Sequence, residues 1–358
     1  MAEVIRYGVI GTGMMGCEHI RNIMEIDDAR VAAISDPDER SRGWGILCSG
    51  EDPDLEVFED HREMLERAAI DAVVVASPNH THARIMADVF TTDKHVLLEK
   101  PMCTTLEDCR LVVERASSHP GVVWVGLEYR YMAPVARFIR EIAEGRVGEL
   151  KMLSIREHRH PFLPKVGDWN RFNRNTGGTL VEKCCHFFDL MNLTVGARPV
   201  RVYASGGQDV NHLEELYDGE VPDIIDNAYV IVDYDNGCRA HLDLCMFAES
   251  SRNEQELVAT GSGGKLECFV PEGTITIGTR KFKDFETIQV GADERVRYQG
   301  FHHGASYLEH LDFLDAIRGG KPPRVTASDG LLSVVVGIAA HRSIDEKLPV
   351  DIAELGIG

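Results

Sequence analysis

Short apolar runs alternate with longer amphipathic segments over roughly the first 126 residues of the chain. The runs are rich in Val, Ile and Ala and hardly alternate with polar residues, which is typical of parallel strands buried on both faces. The segments between them repeat apolar residues at helical spacing and are predicted to be helices. Strands are predicted at residues 7–10, 31–35, 56–58, 72–76, 95–98 and 122–126, and helices at 17–26, 62–69, 83–90 and 106–117.

The pattern changes after residue 127, where apolar and polar residues begin to alternate within longer runs. Such alternation is typical of strands with one buried face. Asp235-Asn236-Gly237 separates two of these runs and is a hairpin signal. We predict a mostly antiparallel open sheet, preceded by one helix and followed by two. Its strands are predicted at residues 150–158, 200–204, 227–234, 238–245, 255–260, 265–269 and 274–277, and the helices at 134–145, 306–318 and 327–347.

A glycine-rich turn joins the first apolar run to the first amphipathic segment. Gly11, Gly13 and Gly16 form a Gly-x-Gly-x-x-Gly motif in the order strand, turn, helix. This order is typical of a dinucleotide site, in which the backbone approaches a pyrophosphate and the helix N-terminus faces the phosphates. The residues predicted to bind the dinucleotide at this turn are Gly11, Thr12, Gly13, Met14, Met15 and Gly16.

An acidic residue ends the second predicted strand. Asp36 lies 20 residues after Gly16, where a carboxylate can accept hydrogen bonds from the adenosine ribose hydroxyls. The same charge repels a 2′-phosphate, so Asp36 favours NAD over NADP. Arg40 and Arg42 follow closely and weaken that preference, which leaves NADP open as an alternative.

The length and charge narrow the class of protein. A chain of 358 residues is long enough for two domains. We predict an NAD(P)-binding Rossmann domain with a doubly wound parallel sheet at 1–126, and an α/β domain with a large, mostly antiparallel open sheet at 127–358. The formal net charge of −20 argues against nucleic acid and anionic membranes as partners.

The cysteine pattern and the first residues of the chain indicate where in the cell the protein is expected. Nine cysteines occur without C-x-x-C spacing, which is typical of a reducing cytosol. The chain passes from Met1 into the first predicted strand within a few residues, and it contains no apolar run of the about 20 residues that a membrane helix needs. We therefore expect a cytoplasmic protein that does not bind membranes.

Two polar turns follow predicted parallel strands, at the sheet edge where ligands bind in doubly wound folds. One turn covers residues 77–82, and the other is Glu99-Lys100-Pro101. Lys100 is placed to reach the nicotinamide ribose and a substrate oxygen, and Pro101 is a candidate for a cis peptide. The residues predicted to contact the cofactor at these turns are Ser77, Pro78, Asn79, His82, Glu99 and Lys100.

Further motifs continue in the same order through the second half of the chain. They are Gly-Leu-Glu-Tyr-Arg-Tyr at 126–131, Gly-Gly-Thr-Leu-Val-Glu-Lys-Cys-Cys-His at 177–186, and Ala-Ile-Arg-Gly-Gly-Lys-Pro-Pro at 316–323. With these motifs the chain resembles the Gfo/Idh/MocA oxidoreductases over nearly its whole length. The resemblance implies a nicotinamide cofactor, a sugar or polyol substrate, and homodimers or homotetramers built on the open sheet. Residues 127–358 would then form the substrate-binding and oligomerisation domain.

Oxidation of a secondary alcohol needs a base for the hydroxyl proton and a group that stabilises negative charge on the oxygen. We predict His186 as the base and Lys100 as the stabilising group. Glu182 precedes His186 by four residues, and a helix beginning near residue 179 would place both on one face. Glu182 is predicted to orient the base or to relay its proton. The resembled family usually has Asp at this position and a small or apolar residue where this chain has Lys183.

Other residues near His186 allow different interpretations. Asp189 is a second possible partner for the imidazole. Cys184 and Cys185 are predicted to be small buried side chains, and we predict no metal site, because no further His or Cys cluster has ligand spacing. The stretch 129–131 is predicted to line the domain junction, with Arg130 in a structural role.

Polar residues crowd two stretches, 156–161 and 168–174. These two stretches are equally consistent with a substrate site and with solvated basic loops. In the first interpretation Trp169 offers a stacking face for a sugar ring. The residues predicted to bind substrate are Lys100, His158, Trp169, Asn173, Arg174, Glu182 and His186.

The leading hypothesis is an NAD-dependent dehydrogenase that oxidises a secondary hydroxyl of a sugar, a cyclic polyol or a sugar derivative. A second hypothesis is a redox-neutral glycosidase, epimerase or isomerase with tightly held NAD. A third is a non-catalytic sensor of sugar and cofactor. The presence of both Lys100 and His186 argues against the sensor, since regulation would need neither residue.

Overall fold

A computed structural model describes residues 4–357 of the chain. These residues form two compact units, each assembled from separate stretches. Unit 1 contains the described residues up to Glu128, with Lys165–Trp169 and Glu294–Leu331; unit 2 contains Tyr129–Pro164, Asn170–Asp293 and the described residues from Leu332 onward. The assignment of cofactor binding to 1–126 and of substrate binding and oligomerisation to 127–358 stays a prediction.

Unit 1 contains a six-stranded parallel sheet. Its strands are β1 (Ile5–Ile10), β2 (Ala29–Ser35), β3 (Glu56–Phe58), β4 (Ala72–Val75), β5 (His95–Glu99) and β6 (Val123–Gly126). They lie in the order β3-β2-β1-β4-β5-β6, so Tyr7 on β1 pairs with both Val31 and Ala72. The strand order reverses between β1 and β4, and ligands bind beside such a switch point, outside the carboxyl ends of the strands. The predicted doubly wound parallel sheet is confirmed.

Five helices accompany these strands: α1 (Met14–Met24), α2 (Glu39–Cys48), α3 (His61–Arg67), α4 (His82–Val89) and α5 (Leu106–Ala116). Three of them begin after a residue whose side chain accepts a backbone N–H of the first turn, namely Asp38, Asp60 and Thr105. The apolar residues of β4 and β5 are fully buried, which explains their lack of alternation. The predicted helices of this region are present, within a few residues of their predicted ends.

Unit 2 is built on a second sheet. The elements that follow in the chain are the helices α6 (Ala133–Ala143), α7 (Asn173–Thr176), α8 (Thr179–Glu182) and α9 (Cys185–Val195), and the strands β7 (Leu150–His158), β8 (Pro199–Gly207), β9 (Asn227–Tyr234), β10 (Arg239–Cys245), β11 (Gln255–Gly261), β12 (Gly264–Val270), β13 (Thr274–Thr279) and β14 (Phe285–Gln289). After them come α10 (Ala305–Gly319), which belongs to unit 1, α11 (Ala327–Glu346), which begins in unit 1 and continues in unit 2, and β15 (Val350–Asp351).

The nine strands of the second sheet lie in the order β14-β13-β12-β11-β7-β10-β9-β8-β15. Within this second sheet, β7–β10 is the only parallel pair among the strands that the structure describes, so the predicted mostly antiparallel sheet is confirmed. β14 and β15 were not predicted. The side chains of β14 are mostly exposed and β15 is only two residues long, so neither carries an alternating pattern.

Alternation along β7 separates a buried face of the sheet from an open one. Leu153, Ile155 and Glu157 are buried, whereas Ser154 and Arg156 between them are only partly covered. Successive side chains of a strand point to opposite faces, so Glu157 lies on the buried face. A carboxylate therefore occupies an inner position of the sheet that the rest of the pattern reserves for apolar residues.

The prediction of one continuous helix from about residue 179 through His186 is wrong. Helix α8 ends at Glu182 and α9 begins at Cys185, so the expected single helix through Glu182 and His186 is broken between them. The N–H groups of Lys183 and Cys184 both reach back to the carbonyl of Thr179, at 3.0 and 3.4 Å, which widens the turn and interrupts the regular pattern. Helical spacing therefore does not place Glu182 and His186 on one face.

Two further expectations concern the backbone and the helices. The Lys100-Pro101 peptide is cis, as the sequence suggested. Across residues 4–357, none of the helices combines the length and the apolar character needed to cross a membrane.

Candidate active site

The glycine turn of unit 1 has the geometry that a bound pyrophosphate requires. Gly11 has a φ of +88°, and a Cβ there would lie 2.7 Å from the backbone of Ser77. A Cβ on Gly16 would lie 1.9 Å from the carbonyl oxygen of Gly11, so only glycine lets α1 pack this close to the turn. At Gly13, by contrast, a Cβ would meet no atom within 4 Å. That open space is where a ligand can approach the backbone.

The start of α1 suits an anion. Gly13 is its N-cap, no side chain caps it, and its first turn carries no acidic residue. The free N–H groups and the helix dipole therefore favour a phosphate at this position. At the carboxyl end of β4, the side-chain amide nitrogen of Asn79 is buried with no acceptor among residues 4–357. These residues of unit 1 fit a dinucleotide.

Asp36 is oriented by backbone groups of the same unit. Its carboxylate accepts the N–H groups of Thr12 at 2.8 Å and Asp38 at 2.9 Å. Burial raises the pKa of Asp36, and these two hydrogen bonds oppose the rise. The guanidinium of Arg42 donates to the Asp36 carbonyl at 2.8 Å and pairs with Glu59 at 2.9 Å. Arg42 is thus engaged with protein groups, which strengthens the preference for NAD.

His82 ties two turns of unit 1 together. Its ring is fully buried, with Nε2 3.0 Å from the carbonyl oxygen of Ser77 and Nδ1 2.9 Å from that of Pro101. Burial lowers the pKa of His82, while the two carbonyl contacts oppose this. Both nitrogens face main-chain carbonyls, which favours a structural role for His82 over a contact with the cofactor.

Glu99 anchors Lys100 through a buried chain of side chains. One carboxylate oxygen accepts the Lys100 N–H at 3.0 Å, and the other is 2.8 Å from His19 Nε2. His19 Nδ1 is in turn 2.9 Å from His310 Nε2 on α10. Burial would raise the pKa of Glu99, but the hydrogen bond and charge of His19 lower it to about 2. An ionised Glu99 requires the proton on His19 Nε2. The hydrogen bonds from the Lys100 N–H through Glu99 to His19 therefore fix the Lys100 turn to helix α1.

In unit 2, two glycines shape the approach to Glu182. Gly177 ends α7 with a φ of +80°, and Gly178 precedes α8 with a φ of +90°. A Cβ on Gly178 would lie 2.2 Å from His341 Nε2, the atom that accepts the Leu180 N–H at 3.1 Å. Burial lowers the pKa of His341 to about 4, so a neutral imidazole serves as this acceptor. Glu182 is buried at the end of the short helix held in this way.

His186 lies against an aromatic ring of unit 2. The Tyr129 ring is parallel to the imidazole within 7°, with 4.0 Å between centroids. The Tyr129 hydroxyl accepts a hydrogen bond of 2.6 Å from Lys183 Nζ, which lies 2.9 Å from the Glu157 carboxylate. His186 is 1% exposed. The predicted base is therefore held in a defined plane by residues far away in sequence.

Asp189, the second predicted partner of His186, has a strong partner of its own. Its carboxylate pairs with the guanidinium of Arg130, whose Nε donates to Oδ2 at 2.6 Å. The pair is almost entirely buried. Arg130 thus has the structural contact that the sequence suggested.

The remaining predicted substrate residues are dispersed. His158 pairs with Asp243 at 3.0 Å, and both side chains lie on the sheet face opposite Glu157. Arg174 is exposed and pairs with Glu220 at 2.6 Å, while Asn173 bonds to Asp223. In unit 1, Trp169 packs edge-on against His80, with centroids 6.3 Å apart. The role of these four residues stays a prediction, and the positions of His158 and Arg174 favour a structural interpretation.

Several residues of these clusters were not predicted. They are His19 and His310 in unit 1, and Glu157 and Lys183 around Tyr129 in unit 2. Two signals were available: Glu157 is a carboxylate at an inner position of an alternating strand, and Lys183 stands where the resembled family usually has a small or apolar residue. Among residues 4–357, no group of three or more His, Cys, Asp or Glu side chains is arranged to hold a metal ion.

A dinucleotide turn on a doubly wound sheet, together with a second unit built on a large, mostly antiparallel sheet, is typical of two-domain nicotinamide-dependent oxidoreductases. Comparison with family profiles agrees. Residues 5–127 match the NAD-binding Rossmann fold of the Gfo/Idh/MocA oxidoreductases, and residues 139–352 match the C-terminal alpha/beta domain of the same family. The chain belongs to this family, which confirms the resemblance, the oxidoreductase class and the NAD cofactor.

Individual relatives extend over the whole chain. It is 28% identical to myo-inositol 2-dehydrogenase of Thermotoga maritima, with 98% of this chain and 99% of the relative covered. It is 30% identical to inositol 2-dehydrogenase 2 of Saccharopolyspora erythraea, with 97% of this chain and 95% of the relative covered. Its fold is similar to that of levoglucosan dehydrogenase, which was solved with NADH and levoglucosan. The TM-score is 0.84 at 20% sequence identity, and the match covers 98% of this chain and 100% of the solved one.

Proposed function

We propose that this protein is an NAD-dependent dehydrogenase that oxidises a secondary hydroxyl of a cyclic polyol or sugar. The observation that carries the proposal is His186, a buried histidine held face to face against Tyr129, in a chain with an NAD-binding turn. The inositol dehydrogenases that match the whole chain support the substrate class.

In the proposed reaction, the chain's own residues manage the proton and the charge on oxygen. NAD, when bound, supplies the hydride acceptor. His186 takes the proton of the substrate hydroxyl as general base. The Lys100 ammonium stabilises the negative charge that develops on the oxygen as the proton leaves.

The surroundings of these residues restrict their motion. Glu99, His19 and His310 fix the backbone of the Lys100 turn, so less freedom is lost when the ammonium binds an oxygen. Glu182 is assigned to bind and orient the substrate, because it is a buried carboxylate at the end of the short helix directly before that of His186. As a carboxylate it can accept a hydrogen bond from a substrate hydroxyl.

The direct test is NADH formation at 340 nm by the purified protein with NAD and a panel of inositols, aldoses, anhydrosugars and sugar acids. We expect turnover with one stereochemical class of secondary alcohol. Product formed without net NADH, by protein that retains NAD through gel filtration, would replace the proposal with the redox-neutral hypothesis. NAD binding with no product from any compound would support the sensor.

The cofactor preference provides a separate prediction. Replacing Asp36 with Asn removes the charge that repels a 2′-phosphate but keeps an acceptor for the Thr12 N–H. We expect the ratio of kcat/KM for NAD to that for NADP to fall by about tenfold or more. Asp38→Asn is the matched control, because Asp38 is an exposed carboxylate two residues away. An unchanged ratio in Asp36→Asn would contradict the role assigned to Asp36.

We further propose that the open face of the second sheet binds a second copy of the chain. Tyr203, Tyr229 and Ile231 are exposed there at neighbouring positions of β8 and β9, and His241 of β10 stacks on Tyr229. Adjacent exposed apolar side chains on an open sheet face are a candidate interaction surface. Ile231→Glu is expected to reduce the mass measured by light scattering from an oligomer to a monomer. A monomeric wild-type protein would contradict this proposal.

A further inference from the structure

Lys183 is a buried lysine that the proposed reaction does not use. It is 4% exposed, and its Nζ lies 2.9 Å from Glu157 and donates to the Tyr129 hydroxyl at 2.6 Å. It directly follows Glu182 in the chain, yet its contacts are with the strand β7 and the tyrosine. The ammonium is thus a directional donor at one end of the ring that supports His186.

The carboxylate opposite Lys183 is itself firmly held. Glu157 is completely buried, accepts a hydrogen bond of 2.8 Å from Gln255 Nε2, and lies 3.8 Å from the Arg159 guanidinium. Burial lowers the pKa of Lys183, whereas the Glu157 charge opposes this. The two charges compensate each other in the interior and set the position of Nζ.

The tyrosine ring is fixed on three sides. Its hydroxyl meets Lys183, one face meets the imidazole of His186 at 4.0 Å, and Phe187 packs edge-on at 5.7 Å. Lys183 Nζ also lies 4.8 Å from the ring centroid. Rotation of the imidazole out of this plane would break a close parallel contact, so the ring of Tyr129 sets the plane in which the base nitrogens lie.

We propose that Lys183 is a positioning residue for the base: through the Tyr129 hydroxyl it fixes the plane of the His186 imidazole. The consequence for catalysis rests on the proposed function. A buried ion pair generally adds little stability compared with apolar residues of the same volume. The Lys183–Glu157 pair does provide what apolar residues cannot, a hydrogen-bond donor at a fixed point.

The test combines Tyr129→Phe, which removes only the hydroxyl, with the double variant Lys183→Met/Glu157→Gln, which removes both charges together. Removing both leaves neither Lys183 nor Glu157 as an unpaired buried charge, and the partly exposed Arg159 keeps its hydrogen bond to the His160 carbonyl. We expect each to lower kcat about tenfold with little change in the KM for NAD, and the triple variant to lower it no further. Losses that multiply in the triple variant would overturn the proposal.

A second readout does not depend on activity. The Hε1 resonance of His186, assigned by its loss in His186→Asn, carries a ring-current shift from the stacked tyrosine. We expect the shift to collapse in Tyr129→Leu and to change in Lys183→Met/Glu157→Gln. An unmoved resonance in a folded double variant would overturn the positioning role, whereas absence of NADH formation by the wild type would count only against the proposed function.

Arg137→Met is the matched control. Arg137 pairs with Glu141, a nearly fully buried carboxylate on α6 in the same unit. This variant is expected to lower the thermal midpoint while leaving both kcat and the His186 resonance unchanged. If it moved the resonance as much as the double variant does, the effect of Lys183 would be general destabilisation and the proposal would fail.

Discussion

Replacing His186 with Asn is expected to lower kcat for alcohol oxidation by about 10²- to 10⁴-fold, the range for loss of a general acid or base. Asn is close to His in size and polarity, so the buried position beside Tyr129 stays filled, but the amide cannot take a proton near neutral pH. The proton would then leave to water. Steady-state NADH formation at saturating NAD and substrate measures the loss, and fluorescence titration shows that NADH still binds.

His212→Asn is the control for this substitution. His212 lies in unit 2, pairs with Glu215 at 2.8 Å, and has a φ of +62°, a region in which Asn is well tolerated. We expect its kcat to stay within about twofold of wild type, because His212 has no role in the proposed reaction and Asn fits its backbone conformation. Comparable rates in His186→Asn and His212→Asn would remove His186 from the reaction.

The local signals of the sequence were sufficient for the dinucleotide turn. Gly11, Gly13 and Gly16 follow one another within six residues, and each has the open space, close approach or positive φ that its place in the motif requires. The position of Asp36 directly after β2 could also be predicted, because the length of one βα unit sets its distance from the turn; its contact with a ribose stays a prediction. Its contact with the Thr12 N–H is new information from the structure.

The surroundings of His186 could not be predicted in the same way. Tyr129, Glu157 and Lys183 belong to three separate segments, and only the pairing of strands and the packing of α9 bring them together. Helical periodicity was misleading here, since the expected face shared by Glu182 and His186 assumed an unbroken helix. The interruption depends on a wide turn back to Thr179, for which no Gly or Pro gives a signal.

The residues that hold the Lys100 turn in place could not be predicted from the sequence either. His19 and His310 are 291 positions apart and meet only because α10 returns to pack against α1. A lone histidine on a helix usually indicates a core residue, and His19 and His310 are both fully buried. His19 contacts Glu99 directly and His310 contacts His19, so two core histidines help to fix the turn that carries Lys100.

Replacing Lys100 with Met is expected to lower kcat by about 10²- to 10³-fold, the usual cost of losing one group that stabilises negative charge in a transition state. Met keeps the length of the aliphatic stem but carries no charge. The Lys100 N–H donates to Glu99 from the backbone, so this contact survives the substitution. The Kd for NADH, measured by fluorescence titration, is therefore expected to change by less than about tenfold, since most cofactor contacts remain.

Lys94 provides a matched control, because it adjoins the other end of the same strand. It precedes β5, at the opposite end from Lys100, and its Nζ donates to the carbonyl of Ile70 at 3.0 Å. Ligands of doubly wound sheets bind outside the carboxyl ends of the strands, so Lys94→Met should affect stability and leave turnover close to wild type. Near-wild-type kcat in Lys100→Met would remove Lys100 from the chemistry. Equal losses of kcat and NADH affinity in Lys100→Met would instead restrict this lysine to holding the cofactor, and the negative charge on the substrate oxygen would then require another cation.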